Sequence, residues 1–233
     1  MRLRVGFILV AGGLVAALAG AAAGLAKDVR IGPIGLTLPP PAGYCELIAG
    51  QPLDDTWVNG LGAVLHGMQI ELLAVSADCG RLAAWHAHAQ PLGVTATYQT
   101  PIAAKDATFR REQLIKEACA FARVEGAKFV AQALPDVAKR LEAAIQHTVK
   151  FNEPTSLGVL AEGADACYSG IMTKVRIGEG AEAVRMIISA TTVVKGKGVI
   201  YNFEADYKDA ATVTATLARH RRNVSALLAA NGG

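Results

Sequence analysis

Polar and apolar positions alternate most clearly in the last third of the chain. Ile171, Thr173, Val175 and Ile177 interleave with Met172, Lys174 and Arg176, and Val199, Tyr201, Phe203 and Ala205 interleave with Ile200, Asn202, Glu204 and Asp206. A period of two with one apolar side predicts antiparallel strands packed on a single face. Strand-like runs cover Ser156 to Glu162, Ala166 to Ile177, Ala183 to Val194 and Gly198 to Tyr207. Gly178-Glu179-Gly180 and Lys195-Gly196-Lys197-Gly198 supply glycines for tight hairpins. Asp209 then caps a helix in which Val213, Leu217, Val224 and Leu228 recur at helical spacing, so it can lie across the sheet's apolar face. Arg219, Arg221 and Arg222 face water in this reading, and His220 is a partly buried, hydrogen-bonded interruption of the stripe.

The earlier pattern is mixed. A short strand from Ile34 stops at Pro39, Pro40 and Pro41, which cannot donate ladder hydrogen bonds. A helix opens at Pro52, with Asp54 and Asp55 at its positive end and Trp57, Leu61, Val64 and Leu65 as its stripe. Gln69 to Ala77 predicts a strand, Asp78 a cap for a short helix over Arg81, Leu82 and Trp85, and Val94 to Ile102 another strand. Thr108 is placed to cap a helix through Arg123, and a further helix is expected from Pro135 with Val137, Leu141, Ala144 and Ile145 inward. No Pro/Gly/Ser linker and no repeat divides this body. The expectation is one α+β domain over residues 27–233, an antiparallel sheet packed by helices and closed by a C-terminal helix.

Ahead of it, Met1-Arg2-Leu3-Arg4 and the uncharged Val5 to Ala26 read as an export signal over residues 1–26, with cleavage after Ala23 or Ala26. If retained, this segment would tether the chain to a membrane. The four cysteines, Cys45, Cys79, Cys119 and Cys167, all follow it, and none forms a C-x-x-C pair. An even set in an exported chain implies two disulfides. Three pairings are open, and Cys45–Cys79 with Cys119–Cys167 is favoured because each links neighbouring parts of the chain. The expected location is periplasmic or secreted.

Composition narrows the function. The chain is 52% hydrophobic and 18% charged, which excludes generic disorder. Setting aside Arg2 and Arg4 leaves 21 basic against 20 acidic side chains, a balance without the electrostatic footprint of a nucleic-acid binder. Gly178-x-Gly180-x-x-Ala183 matches a dinucleotide fingerprint as a string, but a strand rather than a helix follows it, so a hairpin is expected and no cofactor. Ser169, in Cys167-Tyr168-Ser169-Gly170, lacks the nucleophile-elbow glycine. His86 and His88 are the candidate metal pair, since residues one apart on a strand share a face, yet no acidic ligand lies near them in sequence. Met172, Lys174, Arg176, Asn202 and Glu204 are expected to form one exposed sheet face, the candidate binding surface.

Two stretches, Leu36-Thr-Leu-Pro-Pro-Pro-Ala-Gly-Tyr-Cys-Glu-Leu47 and Thr191 to Asn231 with its Val-Val-Lys-Gly-Lys core, resemble exported alpha-proteobacterial proteins that carry no assigned activity. The order of elements in the last third is also similar to PsbP-like proteins, in which a C-terminal helix crosses an antiparallel sheet. That likeness implies a non-catalytic accessory or assembly role outside the cytoplasm. The resulting expectation is an envelope protein that binds another protein or a small ligand, with a metal-binding protein or enzyme using His86 and His88 as the alternative.

Overall fold

A computed structural model describes residues 24–145 and 148–233, with the side chains of 144 and 145 outside that description. Most of the expected export segment and His147 therefore lie outside the described residues. The order is β1 (Lys27–Ile31), β2 (Ile34–Leu38), β3 (Tyr44–Glu46), α1 (Pro52–Gly67), β4 (Ile70–Asp78), α2 (Cys79–His86), β5 (Thr95–Pro101), α3 (Arg111–Val124), α4 (Gly126–Ile145), β6 (Val149–Glu162), β7 (Cys167–Ile177), β8 (Ala183–Val194), β9 (Lys197–Asp206) and α5 (Ala210–Ala230). β1 and β2 form a separate hairpin, and the other seven strands make one antiparallel sheet in the order β3-β4-β5-β9-β8-β7-β6. The fold is α+β, with α5 laid across the sheet.

Two helices begin elsewhere than the pattern suggests. α3 starts at Arg111 rather than after a Thr108 cap. The preceding residues are held extended by the β8–β9 hairpin: Phe109 N donates to Gly196 O at 2.8 Å, and Lys197 Nζ donates to Lys105 O and Ala107 O at 2.7 and 2.8 Å. The turn itself places Lys195 and Gly196 at φ 47° and 80°, the mirror-image geometry that suits hairpin twist. α4 starts at Gly126, and Pro135 sits inside it rather than in its first turn. Upstream Val130 and Leu134 extend the stripe of Val137 and Leu141, which outweighs the one helical hydrogen bond that Pro135 cannot donate.

Both sheet edges are blunted against strand addition. β3 has only three residues. β6, longer than its predicted run from Ser156, carries Pro154, three register irregularities and positive φ at Glu153 and Gly158.

Register decides which side chains share a face, because directly paired residues of an antiparallel ladder project to the same side. Ile188 pairs with Phe203 and with Gly170, while Tyr201 pairs with Tyr98 and Ala190. This face is sealed: Tyr98, Tyr168, Met186, Ile188, Ala190, Val199, Tyr201 and Phe203 are buried with Val224 and Leu227 of α5 and with Ile31, Leu36 and Leu38 of the hairpin. Asn231 ties α5 to β2 by accepting from Thr37 N and donating to Thr37 O. A reciprocal Asp209–Thr212 capping box fixes the start of α5.

His220 sits at the centre of this face and is fully rather than partly buried. Its Nε2 lies 2.8 Å from Tyr201 O, so Nε2 carries the proton and Nδ1 faces an aromatic cage without a partner. The rings of Tyr201, Phe203 and Tyr168 stand 4.8, 5.7 and 5.9 Å away. Arg219 does not simply face water, since its guanidinium stacks over Tyr44 and Phe203 at 5.1 and 5.0 Å. Burial holds the His220 imidazole down at about 4, below its ordinary 6.5. The unfolded chain thus takes up a proton before the native one does, and stability present at neutral pH is lost as pH falls from about 6.5 toward 4, by roughly 3 kcal/mol in total. Glu204, raised by burial, acts with the opposite sign. Denaturant titrations at neutral pH and near pH 4 are expected to show the wild type losing roughly 3 kcal/mol more than His220→Gln, which keeps a donor for Tyr201 O but does not titrate. Equal losses in both proteins would count against a neutral buried imidazole.

Candidate functional site

The opposite face is built differently. The register sets out four rows across its middle: Thr173, Arg185 and Asp206; Ile171, Ile187 and Glu204; Ser169, Ser189, Asn202, Thr97 and Val75; and Cys167, Thr191, Ile200, Gln99 and Leu72. On the two strands at its centre, Ile187, Ser189, Thr191, Ile200, Asn202 and Glu204 are all only partly buried, although Met186, Ile188, Ala190, Val199, Tyr201 and Phe203, next to them in sequence on the α5 face, are almost completely buried. Central strands with one sealed side and one only partly covered side make this second face the candidate groove.

Its floor is unusually polar for the middle of a sheet. Thr95, Thr97 and Gln99 are buried, and Gln99 Nε2 donates to Thr97 Oγ1 at 3.0 Å. Thr95 N donates to Glu204 Oε2 at 3.0 Å, while burial pushes the Glu204 carboxyl above its usual range. Asn202 Oδ1 is buried with no hydrogen-bond partner. A buried acceptor left unmade costs on the order of 1–3 kcal/mol, so its retention here marks a place where a donor from outside the chain would fit.

Helices ring this face without sealing it. On one side α1 and α2 pack over β3 and β4 through Leu47, Val75, Ala77, Leu82 and Leu92, with Trp57, Leu61 and Trp85 around them. On the other, α3 reaches the sheet through a small cluster of Ile115, Cys119, Cys167 and Val159. α4 packs against both α1 and β6. β4, beneath α1, and β6 are five strand spacings apart, about 24 Å in a flat sheet, whereas a helix is about 10 Å across, so the sheet curls toward this side. None of the described side chains of α4 is fully buried. A shallow cavity of about 390 Å³ lies between α1 and β4, lined by Gly62, His66, Ile70 and Leu72, the last of which also belongs to the final row of the floor.

Each wall is crosslinked to the sheet by one disulfide. Cys45 on β3 is bonded to Cys79, the first residue of α2, and Cys119 of α3 is bonded to Cys167, the first residue of β7. This is the pairing favoured from sequence. With separations of 34 and 48 residues, each bridge removes unfolded-state freedom worth about 4 kcal/mol in the chain-entropy picture.

His86 and His88 are not brought together. His86 ends α2 with Nε2 2.6 Å from Asp54 Oδ1, whereas His88 lies beyond the helix, exposed and at φ 55°. Among the described residues no group of three or more His, Cys, Asp or Glu side chains is gathered as a metal site. Asp54, 1% exposed, also accepts from Ile48 N at 2.9 Å, so the pair fastens the start of α1 to the end of α2 and steadies that wall.

The expected single binding face does not exist. Met172, Lys174 and Arg176 project to the α5 side, because Met172 pairs with Met186, whereas Asn202 and Glu204 project into the groove, paired with Ser189 and Ile187. Sequence alternation gives each strand two sides but not the register that matches sides between strands. The same limit hid Asp54, 32 positions from His86, and Lys197, a buried lysine read only as part of a turn.

No protein-family model matches the chain, and no curated protein matches it significantly. The sealed α5 face has a large aromatic core, while the α3 cluster is small, so the two regions should respond differently to reduction. Hydrogen exchange in dithiothreitol is expected to show α3 amides losing protection before those of β8, β9 and α5. Simultaneous loss across all four would mean that the bridges hold the whole fold rather than one wall.

Proposed function

We propose that this chain is an exported, disulfide-bonded binding protein of the cell envelope that takes a small ligand in the groove between its sheet and the ring of α1, α2, α3 and α4. The observation that carries this reading is the accessible, partly polar floor on central strands whose other side is sealed. Ligand sites are concave and mostly apolar, with a few convergent polar groups, and Ile171, Ile187 and Ile200 beside Thr97, Gln99 and Asn202 fit that description. Two crosslinks that fix the walls suit an oxidising compartment, and among the described residues no helix is long and apolar enough to cross a membrane. The resemblance to exported alpha-proteobacterial and PsbP-like proteins points the same way. The function is non-enzymatic in this reading: the His86–Asp54 pair serves to join two helices.

The test uses the oxidised full-length protein and the apolar dye N-phenyl-1-naphthylamine. The dye is expected to brighten on binding, and Ser189→Trp, which fills the middle row, is expected to abolish that signal while Phe121→Ser on the outer surface of α3 leaves it. An absent signal, or one that Ser189→Trp leaves intact, would refute the groove as a binding site. Export is checked separately: chains from the envelope fraction are expected to lack the first residues and to resist alkylation until reduced.

A further inference from the structure

The middle row of the groove is chemically selective. Ser189, Asn202 and Thr97 stand side by side on β8, β9 and β5, with Gln99 in the adjacent row donating to Thr97. All four are neutral and bear hydroxyl or amide groups. On either side along the strands lie aliphatic groups, Ile171 and Ile187 in one row and Ile200 and Leu72 in the other. Asn202 Oδ1 is an acceptor in want of a donor.

Charge argues against an anionic ligand. Among the described strand residues that make up these rows, the one cation is Arg185, whose Nη1 lies 2.8 Å from Asp206 Oδ1. That contact lacks an aligned hydrogen bond, since Nη1 counts among the buried groups with no partner. Glu204, one row nearer the centre, presents a second carboxyl. A phosphate or carboxylate entering here would meet one guanidinium already faced by two carboxyls, with no net positive field to offset its desolvation. An uncharged head group meets no such cost. Its hydroxyls can donate to Asn202 Oδ1, and a carbonyl can accept from Arg185 Nη1.

Resting on the groove reading above, we propose that the ligand is a neutral, hydroxyl-bearing amphiphile: a polyol head seated on Ser189, Asn202 and Thr97 with an aliphatic chain lying along the isoleucine rows. The head group is sorted by absence of charge as much as by hydrogen bonding.

The probes are monolauroylglycerol, lauric acid and glycerol, each titrated against the dye-loaded, oxidised full-length protein. Monolauroylglycerol is expected to displace the dye at a concentration about tenfold below lauric acid, and glycerol alone not to displace it, because the chain supplies the apolar contact. Asn202→Leu, which keeps the volume but removes the acceptor, is expected to raise the half-displacement concentration of monolauroylglycerol about tenfold while changing that of lauric acid less than about twofold. Thermal melts accompany each variant, and Ser189→Ala replaces Asn202→Leu if the latter melts early. Lauric acid equal to or better than monolauroylglycerol, or a variant that weakens both alike, would overturn the assignment of the head group and leave the groove standing. Displacement lost instead in the Phe121→Ser, Phe129→Ser double variant would place the amphiphile on the exposed aromatic pair of α3 and α4 and overturn it as well. Failure of the dye to bind at all would refute the groove reading itself.

Discussion

One sheet is held from its two sides by different forces, and the rest of the molecule follows from that asymmetry. On the α5 side, aromatic and aliphatic side chains of six strands, the β1–β2 hairpin and α5 are driven together by the loss of apolar surface to water, and His220 is locked neutral inside them. On the other side the floor is too polar and too accessible for packing alone to hold a layer of helices. The helices stay because small apolar clusters at the two walls are reinforced by two covalent crosslinks, the Arg123–Glu162 ion pair from α3 to β6, the Asp54–His86 contact between α1 and α2, and the buried Lys197. A face that is not sealed can remain open without loss of the fold, which is the condition for a preformed groove.

The ties have a common logic. Cys45–Cys79 and Asp54–His86 act on the α1–α2 wall, so that wall is fixed at both ends of α2. Cys119–Cys167 and Lys197 act on the α3 wall, the second by anchoring the segment that leads into the helix. α4 has no crosslink or ion pair to the sheet among the described residues, only Glu142 accepting from Val149 N of β6; it contributes no fully buried side chain and contains Pro135. It is held by packing against α1 and β6 rather than by a crosslink, on the border of the groove.

Much of the fold was legible in the sequence because it depended on period. β7, β8, β9 and α5 follow from alternation, glycine turns and the Asp209 cap, and the structure reproduces all four within a few residues. The errors came where distant segments act on local ones. The start of α3 is set by a hairpin that lies far along the chain, and α4 runs through its proline because its stripe begins earlier. The site was less legible still. Asn202 and Glu204 were singled out correctly as lying opposite the buried side of β9, but Met172, Lys174 and Arg176 were joined to them on the assumption that the apolar-looking side of each strand is the packed one. On β7 the side with more β-branched residues faces the groove, and the side with lysine and arginine runs from Tyr168 and Gly170 beneath α5 out to the sheet's end. A groove with isoleucines on its floor imitates a core in any reading of one strand alone.

The bridges also have an order along the chain. The first two cysteines pair with each other and the last two with each other, without crossing. A polypeptide that emerges through a translocation pore amino end first and is oxidised as it appears meets, at each new even-numbered thiol, a single unpaired predecessor, which is the native mate. Such a chain can mature with a simple oxidant, without a shuffling enzyme to undo wrong links.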